Sequence, residues 1–228
     1  MFVAGIDGCR AGWISFHVEL PTKTTSIEII ELSGLLRGRP KGLAAMAVDI
    51  PIGLLDGPRA CDRAARRLLG HPRGSSVFSP PCRSAIQSGT YEDACKANHL
   101  RTGKKISRQA WGIAAKIKEV DEAMTPGVQN WTFEVHPEIS FWAMNGRKPL
   151  RHGKKSPEGR AERLALLREC FPNIDRHIVP PRHRGVGIDD VLDAAAAAWT
   201  ALRHTQGLAE HVCASEVDSV GLAATIWY

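Results

Sequence analysis

Two short apolar runs that each break off at an aspartate constrain this chain more than any other feature. The first, Phe2, Val3, Ala4 and Ile6, reads as a strand buried on both faces and stops at Asp7. The second lies in AAMAVDIPIGL, residues 44–54, and stops at Asp49, with Pro51 unable to continue a sheet ladder. A third run, WTFEVHPE over residues 131–138, also ends in charge, with Phe133 and Val135 on one face and Glu134 and His136 on the other. A carboxylate at the end of a buried strand is poorly hydrated, so it titrates upward or acquires a cation. The alternative for each aspartate is a turn residue bonded to nearby backbone amides.

The rest of the chain arranges itself around these runs. After Asp7, the glycine-rich 8–12 stretch predicts a tight turn, followed by strands over 13–20 and 24–32 and a helical or loop segment over 33–41. Residues 57–130 read as a helical cap between the fourth and fifth strands. It contains helices over 58–70, 91–100 and 107–124 and a Gly/Ser/Pro-rich loop over 71–88. A helix over 137–144, a basic loop over 147–160 and an amphipathic helix over 157–171 follow, then a solvated loop over 180–187. The last strong element is a helix over 187–207 with an alanine run, Ala194 to Ala198, smooth enough to lie against a sheet. Asp190 and Asp193, three apart, project from one side of its first turns. Residues 218–228 are expected to add an edge strand, and the whole of 1–228 reads as a single domain.

With 228 residues the chain can bury a substantial core. Its formal charge of +6 and isoelectric point near 9.1 suit a polyanionic partner. No apolar run approaches the ~20 residues needed to cross a bilayer, and no secretory leader is recognisable. Six cysteines without a C-x-x-C pair read as reduced thiols, which together with the missing leader predicts a cytoplasmic protein with no membrane association.

Asp7, Asp49, Glu134, Asp190 and Asp193 can converge at one end of a sheet if their strands run parallel there. An all-oxygen ligand set favours Mg²⁺ or Mn²⁺ over zinc. Two such ions can drive phosphodiester hydrolysis by activating water and stabilising the leaving oxygen.

The order of elements resembles the ribonuclease-H fold, a mixed five-stranded α/β sheet flanked by helices, here with the helical insertion described above. DVLDA, residues 190–194, resembles the last catalytic helix of Holliday-junction resolvases. DGCRAGW, VDIPIGL, RACDRAAR, EVHPE, GRAERL, DDVLDA and GLAATIWY together resemble the family called domain of unknown function four-two-nine. The resemblance implies a ribonuclease-H-like nuclease acting on DNA or RNA. It makes Asp7 the first-strand acid shared between metals, Asp49 the central-strand acid and Asp190 and Asp193 the helix acids. Glu134 has no counterpart in the smallest ribonucleases of this fold, and Glu138 can stand in for it.

Arg10, Arg59, Lys154, Lys155 and Arg160 are the candidate substrate-binding residues, although Arg59 and Asp62, three apart, also read as an internal helix pair. His136 could move a proton or orient a carboxylate, or simply be structural. Two rival functions remain at this level. One is an actin-like or sugar-kinase-type protein holding a nucleotide at the turn after Asp7. The other is a non-catalytic nucleic-acid-binding module, whose binding would fall steeply with salt without requiring a divalent ion.

Overall fold

A computed structural model describes residues 1–178 and 184–228; of the loop expected over 180–187, Pro180, Pro181, Arg182 and His183 lie outside the described residues. The core is a five-stranded mixed sheet. β1 (Phe2–Cys9), β2 (Gly12–Glu19) and β3 (Thr25–Ile30) form an antiparallel meander. β4 (Leu43–Val48) and β5 (Thr132–Glu134) extend it in parallel on the other side of β1, giving the order β3-β2-β1-β4-β5. β1 runs two residues past Asp7, since Cys9 pairs with Gly12 and only Arg10 and Ala11 make the turn. Gly12 has φ 121°, a conformation that a side chain would strain.

A short helix α1 (Leu32–Arg37) joins β3 to β4. Between β4 and β5 lie α2 (Ala60–Leu69), a 3₁₀ turn at Arg73–Ser76, α3 (Arg83–Ile86), α4 (Tyr91–Thr102), α5 (Arg108–Gly112) and α6 (Ala114–Ala123). The helix expected over 107–124 is thus split in two. Gly112 is a poor helix former, and Ile113 leaves helical geometry at φ −111°, ψ 3°. After β5 come α7 (Pro137–Met144), α8 (Pro157–Cys170), α9 (Asp175–Ile178) and α10 (Ile188–Thr205).

The two sheet faces are buried in different ways. Val3, Phe16, Ala45, Ala47 and Val135 face α10, whose Ala194 to Ala198 run packs flat on the strands. Gly5 permits that contact, because a Cβ there would stand 2.1 Å from both Ala194 O and Ala198 N. The opposite face, with Ile6, Met46 and Val48, packs against α1 and α6 through Leu32, Leu36, Ile117 and Val120.

The C-terminal tail does not extend the main sheet as a full strand. β6 (Glu216–Val217) and β7 (Ala223–Ala224) form a separate small hairpin, and one parallel bridge joins Val135 to Trp227 beside β5. Asp218 explains the turn: its carboxylate accepts from Leu54 N, Val220 N and Leu222 N at 2.9–3.0 Å, wrapping 218–222 into a loop. No described helix is long and apolar enough to cross a membrane.

Candidate active site

Strand register decides which acids meet. Ile6 pairs with Val48, and Val48 with Glu134, across three parallel strands. Asp7 and Asp49 are each the next residue, and Asp49 N donates to Ile6 O at 2.9 Å, so the two aspartates lie side by side at the end of the β1–β4 pair. Val135, one step on from Glu134, belongs to the core on the α10 side. Successive side chains alternate between faces, so Glu134 turns to the side opposite that of Asp7 and Asp49.

The approach of α10 to β1 at Gly5 brings Asp193, one helical turn before Ala197, to the same place. Asp7 and Asp193 are buried at 8% and 2% exposure, while Asp49 is partly buried. Burial is the main cause that lifts all three carboxyls above the usual range, to about 7 for Asp49 and about 6 for Asp193. The charge of Asp49 adds to the rise at Asp7, followed by that of Asp193. Asp190 stands apart: its carboxylate accepts from Gly187 N at 2.8 Å and caps α10, and burial raises its pKa more modestly than at Asp7.

Glu134 and Glu138 are held by buried arginines. The Arg59 guanidinium, 2% exposed, donates to Glu134 at 2.6 and 2.8 Å, to Asp62 at 2.6 Å and to Ile52 O at 3.0 Å. Glu134 also accepts from Ile52 N at 2.7 Å, so this network pins the chain leaving β4 to β5 and α2. Burial raises the Glu134 carboxyl to about 7, against the opposing pull of Arg59. Glu138 pairs with Arg163 on α8, itself 1% exposed. Both glutamates line the cavity, but each has an arginine for its charge.

The cation at the aspartates is Lys154. Its ammonium lies 2.7 Å from Asp193 Oδ2, reached from the basic loop by a side chain 44% exposed. Burial would lower its pKa, but Asp193, Asp49 and Asp7 outweigh that and hold it protonated. Of the other expected phosphate-contacting residues, Arg10 lines a separate neighbouring pocket with Asp190, and Arg59 is committed to its carboxylates. Lys155 and Arg160 line neither pocket.

The aspartates form the floor of a cavity of about 490 Å³. Its far wall is built by the segment between β4 and β5, through Arg73, Ser75, Ser76, Gln109 and Lys116. The wall is tied back to the sheet: Lys116 donates to Gly12 O at 2.5 Å and lies over the Trp13 ring, and Trp13 Nε1 donates to Glu119 at 3.0 Å. His136 also lines the cavity, with Nε2 3.4 Å from Ser76 O and a buried Nδ1 that has no partner among the described residues. Burial lowers its pKa, so the imidazole is neutral at pH 7. Arg73, Ser76 and Lys116 were not legible as site residues, because no local pattern shows where a long connection folds back.

Among the described residues no three histidine, cysteine, aspartate or glutamate side chains stand together as a ready metal cage. The donor chemistry nevertheless fits a hard divalent ion. Mg²⁺ is commonly held by one or two carboxylates, with water and substrate oxygens filling its remaining positions. Asp7 and Asp49 meet that need, since among the described residues neither forms an ion pair with a lysine or arginine. The hydrogen bond to Asp7 comes from the amide of Gly8, at 2.8 Å.

A family model described as "protein of unknown function (DUF429)" matches residues 5–217. No curated protein and no solved structure matches the chain.

Proposed function

We propose that this chain, which belongs to the DUF429 family, is a divalent-metal-dependent phosphodiester hydrolase of ribonuclease-H-like fold, a nuclease with Asp7, Asp49 and Asp193 at its centre. The observation that carries the reading is the meeting of two neighbouring aspartates at the end of the β1–β4 pairing with a helix aspartate on the floor of one cavity. Support comes from the sheet, an antiparallel meander continued by two parallel strands with a late helix across β1, which is the order expected for that fold. The connection over 57–130 is then an insertion that roofs the site, and DVLDA occupies the place of the resolvase-like helix.

Mg²⁺ or Mn²⁺ held by Asp7 and Asp49 would supply Lewis-acid charge to the phosphoryl group and make an attacking water more acidic. The protein's own residues do the rest. Lys154, Arg73 and Lys116 set cationic groups among the cavity's acids, where they would face the phosphate of a substrate held at a bound ion. His136, neutral and with Nδ1 free of any described partner, is placed to accept or return a proton. Asp190 holds the start of α10 and so the position of Asp193. Glu134 and Glu138 keep the walls in place through Arg59 and Arg163.

The roof favours a second reading on substrate size. A cavity of about 490 Å³ is in the range of small-ligand sites, so a nucleotide-sized phosphate ester or a single-stranded end fits where the interior of a duplex does not. The test is hydrolysis of a chromogenic bis-aryl phosphodiester, a mononucleotide ester, and labelled single- and double-stranded oligonucleotides with Mg²⁺ or Mn²⁺. Asp7→Asn should lose at least 100-fold in rate while keeping its circular dichroism spectrum. An Asp7→Asn protein of undiminished activity overturns the mechanism. Activity confined to the small ester favours the second reading over the nuclease.

A further inference from the structure

Charge at the aspartate floor does not match a site for two metal ions. Asp7, Asp49 and Asp193 bring three carboxylates to the floor; of the neighbouring acids, Glu134 is paired with Arg59 and Glu138 with Arg163, while Asp190 lines the neighbouring pocket within electrostatic range of Arg10. Three negative charges facing two divalent ions would leave a net positive floor before any phosphate arrived. Adding Lys154 would make that excess larger. Three carboxylates with one divalent ion and one ammonium balance.

Position agrees with the count. In a two-ion site the helix carboxylate would be needed as a ligand. Here Asp193 Oδ2 instead receives the Lys154 ammonium at 2.7 Å, a length typical of a strong charge-assisted bond. Lys154 lies within electrostatic range of Asp49 and Asp7 as well. Asp193 is 3% exposed at its side chain, so its charged form needs a cation beside it. Lys154 comes from an exposed loop, and its ammonium reaches the buried carboxylate of Asp193. Asp7 and Asp49, by contrast, form no ion pair with a lysine or arginine among the described residues.

We propose that Lys154 is a built-in cation occupying the place of a second metal, so that the site takes one divalent ion, at Asp7 and Asp49, with the ammonium serving Asp193 and the substrate phosphate. This rests on the metal-dependent reading above. It makes Lys154 part of the reacting centre, and it makes the loop over 147–156 the element that completes the site.

Isothermal titration of the full chain with Mn²⁺, without substrate, reads the number directly. We expect one ion per wild-type chain, one for Lys154→Arg, and two for Lys154→Met, in which Asp193 is released as a ligand. Two ions in the wild-type protein, or one in both wild type and Lys154→Met, would overturn the proposal while leaving metal dependence intact. No binding in the wild-type protein, or binding unchanged in Asp7→Asn, would instead overturn the reading beneath it. Should Lys154→Met fail to fold, Lys154→Gln carries the same expectation of two ions, and one ion there would overturn the proposal.

Discussion

Replacing Asp49 by asparagine should make the metal-free protein more stable, not less, and only at high pH. An unfolded aspartate titrates near 3.8, whereas Asp49 in the fold titrates at about 7 because burial disfavours its charge. Between those values the folded chain binds more protons than the unfolded one, so Asp49 lowers stability progressively as pH rises, and above about 7 the full penalty is present. At ~1.4 kcal/mol per pKa unit the gap is worth at most ~4.5 kcal/mol. Solvent in the cavity screens part of it, leaving ~1–3 kcal/mol. Asparagine has the same shape and no charge, so Asp49→Asn should gain about that much at pH 8 and well under half of it at pH 4. Urea unfolding followed by circular dichroism, without divalent ions, measures both. Saturating Mg²⁺ should reverse the order, since a ligand at 100 times its Kd adds ~2.7 kcal/mol to the protein that binds it. An asparagine variant less stable than wild type at pH 8, or one whose gain is the same at pH 4, would refute the reasoning.

Two further substitutions separate framework from site. Gly5→Ala should destabilise by ~3 kcal/mol or more in thermal or urea unfolding, because its methyl group meets the backbone of α10 at 2.1 Å and neither side can yield cheaply; a cost under ~1 kcal/mol would mean the helix does not lie there. Arg59→Met should cost ~3–5 kcal/mol by leaving Glu134 and Asp62 buried without their cation, whereas Asp7→Asn should cost nothing; equal stability of the two variants would contradict the division between structural and open acids.

The strands were legible because burial and alternation are local properties, although β1 runs past Asp7, where its apolar run stops, to Cys9. FVAGI and MAV are apolar at every position, as strands covered on both faces must be, and the break at Asp7 and Asp49 is visible in the sequence itself. The meeting of Asp193 with them was legible less directly, through the alanine run that needs a smooth partner; Gly5 is that partner, and only the fold shows the contact. Glu134 illustrates what sequence could not resolve. Its place at a strand end matched those of Asp7 and Asp49, but a one-residue difference in register puts it on the other face, where Arg59, 75 residues earlier, claims it. Arg59 and Asp62 were recognisable as a helix pair from their spacing, yet nothing local announced the third member. Long-range closure by the segment over 57–130 was equally hidden, because Lys116 and Ser76 acquire their neighbours only when that segment folds back onto Gly12 and His136.

The central claim is that Asp7 and Asp49 hold a divalent ion. Anomalous diffraction from crystals soaked in Mn²⁺ tests it most directly. One peak is expected within coordination distance of both carboxylates, absent in Asp7→Asn, with Lys154 still against Asp193. A wild-type crystal with no manganese at those two side chains, or with manganese only elsewhere on the chain, would contradict the account.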